Sequence, residues 1–88
     1  MACGKFEVDI IAWDTTTGEL VFIEVKSRQT GYFGDPSRAV DKLKLSHMKY
    51  VAKVYRELYR HQGDYRFDVI AILPNQVEHF VNVTWQVR

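Results

Sequence analysis

Eighty-eight residues, 47% of them hydrophobic and 26% charged, have the make-up of one small folded domain, 1–88, and exclude a disordered, collagen-like or low-complexity chain as well as a second domain. A domain this short buries only about 60–65% of its unfolded surface, so it leans on a disulfide, a metal or a partner. The single Cys3 excludes an internal disulfide.

Net charge is +1, which selects no partner by itself, but the distribution is uneven. Residues 1–37 carry three basic and six acidic side chains, residues 38–61 seven basic and two acidic, and residues 62–88 two basic and three acidic. An acidic first half therefore faces a basic middle. No apolar run approaches the roughly 20 residues that span a bilayer, and no charged-then-apolar signal opens the chain. With one unpaired cysteine, the expected location is intracellular, in the cytoplasm, with no membrane partner.

In chain order, Phe6 to Trp13 is rich in β-branched and aromatic residues and predicts a first strand, closed by the turn cluster Asp14-Thr-Thr-Thr-Gly18. Leu20 to Lys26 predicts a second strand, and so short a connection makes the two antiparallel neighbours. Gln29 to Pro36, with Gly31, Gly34 and Pro36, reads as a surface loop that enters a helix near Pro36 or Ser37. Val40, Leu43, His47, Val51, Val54 and Leu58 then recur at helical steps, widened by Met48, Ala52, Tyr55 and Tyr59. Lys42, Lys49, Lys53, Arg56 and Arg60 line the other side, and Gly63 is the expected stop. Tyr65 to Leu73 predicts a third strand, Pro74-Asn75 a turn, and Val77 to Thr84 a fourth strand. The fold class is α/β, a mixed sheet of about four strands with one long helix.

The chemistry-bearing pattern is Glu7-Val-Asp9 on the first strand beside Glu24-Val-Lys26 on the second. Residues i and i+2 share a strand face, so Glu7 pairs with Asp9 and Glu24 with Lys26. In the register that puts both faces on one side, three carboxylates and an ammonium converge. Hard cations such as Mg²⁺ take a few carboxylate oxygens and fill the remaining positions with water and substrate phosphate. Asp9 and Glu24 would hold the metal, with the Val25 carbonyl as a third ligand, while Lys26 orients water and stabilises charge on the phosphate. The competing reading is a cross-strand ion pair from Lys26 to Glu7 or Asp9 that only stabilises the sheet. The run Leu20-Val-Phe-Ile-Glu-Val-Lys26 is apolar on both faces, which marks a central strand where an unpaired charge is costly, and that favours a site.

Glu7-Val-Asp9-Ile-Ile-Ala12, Leu20-Val-Phe-Ile-Glu-Val-Lys26-Ser-Arg28, Phe33-Gly-Asp-Pro36, Ala39-Val40, Arg66-Phe-Asp-Val69 and Glu78-His79 together resemble the YraN-like family of uncharacterised bacterial proteins. That family is similar to the restriction-endonuclease-like, Holliday-junction-resolvase-related PD-(D/E)xK nucleases. The resemblance covers Glu7 to about Trp85. It implies a restriction-endonuclease-like fold and Mg²⁺- or Mn²⁺-dependent hydrolysis of DNA phosphodiesters, with Asp9 and Glu24 as metal ligands, Lys26 as the catalytic lysine and Glu7 as an accessory. Members of that family usually begin with a helix carrying a further Glu and then a strand. Here Met1 lies six residues before Glu7, so the expected architecture lacks that leading helix and strand. Arg38 also stands where the family commonly has Glu.

The basic residues Arg28, Lys42, Lys49, Lys53 and Arg56 are the expected contacts to DNA phosphates, whether the DNA is a junction, a flap or single-stranded. Tyr32 and Phe33 either stack on an unpaired base or anchor their loop. His47 reads as a core or rim residue, His61 as a favourable charge at a helix end, and His79 as a structural hydrogen-bonding residue rather than a ligand. Asp68 and Arg66, two residues apart on one strand face, read either as a salt bridge or as neighbours of the site. The reading from a different class is an inactive nucleic-acid-binding module of the same fold, or a homo-oligomer that pairs the free edge of the Glu7 to Ala12 strand with its twin.

Overall fold

The computed structural model describes residues 1–27 and 42–86, with the side chains of Lys42, Trp85 and Gln86 left out of the description. The main sheet holds four strands in the order β3-β4-β5-β6: β3 (Ile10–Asp14), β4 (Glu19–Ser27), β5 (Tyr65–Ile72) and β6 (Val77–Phe80). β3 pairs antiparallel with β4, β4 parallel with β5, and β5 antiparallel with β6. The parallel pair requires a long crossover, and the helix α1 (Lys42–Leu58) lies in it. The expected α/β mixed sheet with one long helix is therefore present.

Alternation along β4 and β5 sorts the side chains into two faces. Leu20, Phe22, Phe67 and Val69 point to the helix, where they form one core with Val8, Leu45, Met48, Val51, Ala52 and Val83. Phe22, Met48, Val51 and Val69 are completely buried. The helix buries a stripe that shares Met48, Val51, Ala52 and Tyr55 with the expected one but is rotated toward Leu45. Leu43 and Leu58 are 67% and 65% exposed, so the apolar face is centred on Leu45, Met48, Val51, Ala52 and Tyr55. Both stripes have helical period, and contact with the sheet selects between them.

Three further boundaries differ from the sequence expectation. The first predicted strand is broken: a two-residue hairpin of β1 (Ala2–Cys3) and β2 (Phe6–Glu7) precedes a bend at Asp9, and only then does β3 begin. Gly4, with φ of 63°, takes the first central position of that hairpin turn, a conformation suited to glycine. The bend shifts the side-chain phase, so Val8 and Ile11, three residues apart, both turn to the core instead of pointing to opposite faces. The fourth strand stops at Phe80, and Val83–Gln86 forms a 3₁₀ turn that returns Val83 to the core.

The helix also ends earlier than Gly63. His61 N–H donates to Arg56 O at 2.9 Å around Arg60, whose φ is 54°, the six-to-one closure in which the left-handed position usually holds glycine. Gly63 serves the next turn instead: a Cβ there would meet the His61 ring at 3.3 Å. That ring lies edge-on to Trp13 and its Nε2 is 3.2 Å from Asp64 O, so His61 is anchored by contacts as well as by its place at the helix end. The start of the helix at Pro36 or Ser37 and the loop Gln29 to Pro36 lie outside the described residues.

The sheet face away from the helix carries an ionic network. Arg66 is 9% exposed and Asp68 fully buried. Arg66 Nε and Nη2 donate to the two oxygens of Asp68 at 3.0 and 3.2 Å, and Nη1 reaches Asp14 at 2.8 Å and Glu19 at 2.9 Å. Asp68 also lies 2.7 Å from His79 Nε2 and accepts the Asn82 N–H at 2.9 Å. One buried pair thus joins the β3–β4 turn, β5, β6 and the entry to the 3₁₀ turn. The expected Arg66–Asp68 salt bridge and the structural role of His79 are both seen.

Removing one member of a buried pair strands the other charge, which costs about 3–5 kcal/mol. Asp68→Ala is therefore expected to lower stability by about that amount in urea unfolding, whereas Lys53→Ala on the exposed helix surface stays within about 0.5 kcal/mol of the wild type. The Arg66 hydrogen bond, followed by the backbone N–H groups of Thr16 and Thr17, holds the Asp14 carboxyl below its ordinary value of 3.8. Its ionised form therefore favours the fold above pH 3.8, and that contribution vanishes as the pH falls through the lowered folded value. Carboxyl NMR is expected to place the Asp14 midpoint below 3.8 and to show it rising in Arg66→Lys, where the forked donor is lost.

Candidate functional site

The register of β3 on β4 runs from Asp14↔Glu19 to Ile10↔Ile23. One further step sets Asp9 across from Glu24, where the chain has just left the ladder. There the Val25 N–H, with no β3 backbone oxygen to meet, donates to Asp9 Oδ2 at 2.8 Å. The two carboxylates are thus held on neighbouring chain segments at the end of β4, with Asp9 fixed by a backbone hydrogen bond. Glu24 and Lys26 share the helix-side face of β4. Lys26 lies opposite Ala71 on β5 and is half-buried.

Glu24 is the more enclosed of the acids. Its side chain is 13% exposed and its Oε2 lies 3.0 Å from Lys44 Nζ, on the first turns of α1. Oε2 is buried and takes no directed hydrogen bond among the described residues, so Lys44 acts on it as a nearby charge rather than as an aligned donor. A buried carboxylate oxygen without a directed donor, beside a second carboxylate, is a donor set that a hard divalent cation fits. Such ions are commonly held by one or two carboxylates, with water and substrate phosphate completing the shell. Among the described residues no group of three or more His, Cys, Asp or Glu side chains is disposed to hold a metal, so a cation here would have at most the two carboxylates of Asp9 and Glu24 from these side chains.

Glu7 does not join them. It sits in β2 opposite Ala2 and is exposed, because the bend at Asp9 breaks the strand in which Glu7 and Asp9 would have shared a face. The ion pair seen at these acids is made across the helix–sheet contact, from Lys44 to Glu24, rather than as the expected cross-strand pair of Lys26 with Glu7 or Asp9. Sequence reasoning passed over Lys44 because it lies off the basic stripe. Its position one residue before the core residue Leu45 is the available signal, and it gains meaning only once α1 is laid on β4.

The stripe itself is partly placed. Lys49 and Lys53 are exposed on α1, and the Arg56 guanidinium stacks on the Tyr65 ring at 4.0 Å. Helical geometry puts these three on the flank of α1 that faces β5. His47, stacked on Phe6 at 4.2 Å, marks the opposite flank against the β1–β2 hairpin, as a rim histidine. The stripe is therefore a flank rather than the outermost face. Arg28, Tyr32, Phe33 and the Lys42 side chain lie outside the described residues.

Residues 1–72 match the model of the uncharacterised protein family UPF0102. The chain belongs to this YraN-like family. Among its relatives, a UPF0102 protein of Sulfurihydrogenibium is 40% identical over 77 residues, covering 86% of this chain and 65% of its own length. One from Caldicellulosiruptor saccharolyticus is 40% identical over 74 residues, covering 83% and 61%. A third, from Beutenbergia cavernae, is 38% identical over 87 residues, covering 92% and 72%. The chain thus spans about two thirds or less of the length of the first two relatives. No helix among the described residues is long and apolar enough to cross a membrane.

If the Asp9 carboxylate supplies the hydrogen bond that Val25 would otherwise lack, Asp9→Ala is expected to accelerate hydrogen exchange at the Val25 amide while leaving Phe67 and Val69 amides in the core of β5 unchanged. Amide-resolved exchange by NMR reads both.

Proposed function

We propose that this UPF0102 protein is a metal-dependent endonuclease-like domain that binds DNA and hydrolyses its phosphodiesters through Asp9, Glu24 and Lys26. The observation that carries this reading is the meeting of Asp9 and Glu24 at the end of the β3–β4 ladder, with Lys26 two residues further along the same face of β4. Two carboxylates on adjacent segments, one anchored by a backbone N–H and the other enclosed, suit Mg²⁺ or Mn²⁺ with a phosphate oxygen in the shell. When bound, such an ion polarises a phosphate oxygen and acidifies a water.

The chain's own residues supply the remaining functions. Asp9 and Glu24 offer the oxygens, and the Val25 N–H keeps Asp9 oriented. Lys26 holds the attacking water and balances negative charge that develops on the phosphate. Lys49, Lys53 and Arg56, together with Arg28 and Lys42, supply sequence-independent contact with the phosphate backbone. Substrates of this class are junction, flap or single-stranded DNA.

A second reading is favoured by the edge of the sheet. β3 is an outer strand with Ile10 43% and Trp13 56% exposed, a surface suited to pairing with a second copy in a homo-oligomer that binds without cleaving. A dilute monomer in a mass measurement argues against it.

The deciding assay offers junction, flap and single-stranded DNA with Mg²⁺ or Mn²⁺. Cleavage is expected in the wild type and is expected to fall by at least about a hundredfold in Asp9→Ala and in Lys26→Ala, the scale of a lost charge-stabilising group. DNA affinity measured in EDTA is expected to fall steeply with salt and to weaken in the Lys49→Ala/Lys53→Ala double variant. Cleavage that is unchanged in Asp9→Ala would sink the catalytic reading.

A further inference from the structure

Lys44 is the one described side chain of α1 that forms an ion pair with the candidate metal ligands, and it does so at the most enclosed oxygen of the pair. We propose that Lys44 is an exchangeable counter-ion, an ammonium that neutralises Glu24 until a divalent cation binds and that must leave Glu24 for the cation to enter. The proposal rests on the reading of Asp9 and Glu24 as cation ligands and assigns Lys44 a role that the reading does not contain.

Glu24 makes a resident positive charge necessary. Its side chain is 13% exposed, and a carboxylate withdrawn this far from water is strongly disfavoured without a counter-charge. The contact is also of a kind that can be given up. At 3.0 Å, without a directed hydrogen bond on Oε2, the contact with Glu24 is one of charge rather than of aligned bonding, made from the end of a flexible four-carbon stem. The Lys44 side chain is 31% exposed, so it has a route to solvent.

The way the three groups are anchored separates Lys44 from the ligands. Asp9 is fixed to Val25 N–H and Glu24 belongs to the paired part of β4, next to Val69. Lys44 comes from α1, which keeps its place through Leu45 and Met48 whether or not the lysine head moves. Withdrawal of Lys44 therefore leaves the ligand geometry standing.

Lys44 and a divalent ion also cannot share the oxygen comfortably. A coordinating Mg²⁺ sits at about 2.0–2.1 Å from its oxygens, and an ammonium 3.0 Å from the same atom would repel it across a poorly screened space. Binding of the cation and retention of the Lys44 contact are consequently competitive. A displaced ammonium would remain on the first turns of α1, within its stem's reach of the Glu24 end of β4, where it could balance the charge of a phosphate. Cation and phosphate then favour each other's binding, by reciprocal linkage.

The test titrates Mn²⁺ into the full chain without nucleic acid, following free Mn²⁺ by electron paramagnetic resonance. Lys44→Met is expected to bind Mn²⁺ about tenfold or more tightly than the wild type, a modest part of what removing a unit charge at this range can produce. Lys44→Arg, which keeps the charge, is expected to show no such gain. Thermal unfolding gives an independent readout: Lys44→Met is expected to melt below the wild type in EDTA and to recover more than the wild type does on adding Mn²⁺. Should Lys44→Met fail to fold, Lys44→Gln is judged by the same criteria.

Equal or weaker Mn²⁺ affinity in Lys44→Met, with wild-type binding abolished by Asp9→Asn, overturns the role of Lys44 and leaves the metal reading intact. Binding in Lys44→Met but not in the wild type supports the proposal. Absence of binding in both proteins, or binding indifferent to Asp9→Asn, overturns both.

Discussion

The buried pair of Arg66 and Asp68 is the constraint around which the sheet is arranged. Neither charge is tolerable alone at 9% and 0% exposure, so each must find partners, and the partners available are on other strands. Arg66 gathers Asp14 and Glu19 from the two ends of the β3–β4 turn, and Asp68 gathers His79 and the Asn82 amide. Arg66 brings one guanidinium to the three carboxylates of Asp14, Glu19 and Asp68, so it is their shared centre. Its forked donors are held protonated beyond their ordinary value, chiefly by Asp68. A chain with one cysteine has no internal disulfide, and this network cross-links all four strands of the sheet in its place.

The two faces of the sheet therefore do different work. On the helix side, apolar side chains from β4, β5 and α1 interlock around Phe22. On the other side, charge organises the turn and the edge strand. The candidate site lies on the helix face at the far end of β4 from the Asp14–Glu19 turn, where the apolar alternation Leu20, Phe22 gives way to Glu24 and Lys26. Polar chemistry is accommodated there because the β3 ladder ends one residue short of it and Asp9 takes over the Val25 N–H. The bend at Asp9 is thus a structural device for presenting a carboxylate at the mouth of a sheet while keeping the backbone satisfied.

How far the site was legible in the residues depends on what each inference needed. Asp9 and Glu24 are neighbours because a five-residue turn cluster forces an antiparallel hairpin whose register follows from Asp14 and Glu19, all of it local. Glu7 illustrates the opposite case. Its place beside Asp9 required an unbroken strand, and burial of both Val8 and Ile11, three residues apart, outweighed the alternation that an unbroken strand would impose. The Gly-Lys pair between Cys3 and Phe6 was the available signal for the extra hairpin. Arg60 shows the same limit at the helix end: local preference favoured Gly63, but closure of the last turn on Arg56 settled at Arg60 instead.

By itself the sequence determined the α/β class, the four strands and one helix, the β3–β4 hairpin, the Pro74-Asn75 turn and the family, since these follow from periodicity, turn chemistry and motifs carried by contiguous residues. Tertiary structure alone decided which stripe of α1 is buried, that Glu7 leaves the site, that Asp14, Glu19 and His79 converge on one ion pair, and that Lys44 reaches Glu24. Each of these depends on how separate elements are placed against one another, and two helical stripes or two strand phases of equal periodicity differ only in the contacts they make after folding.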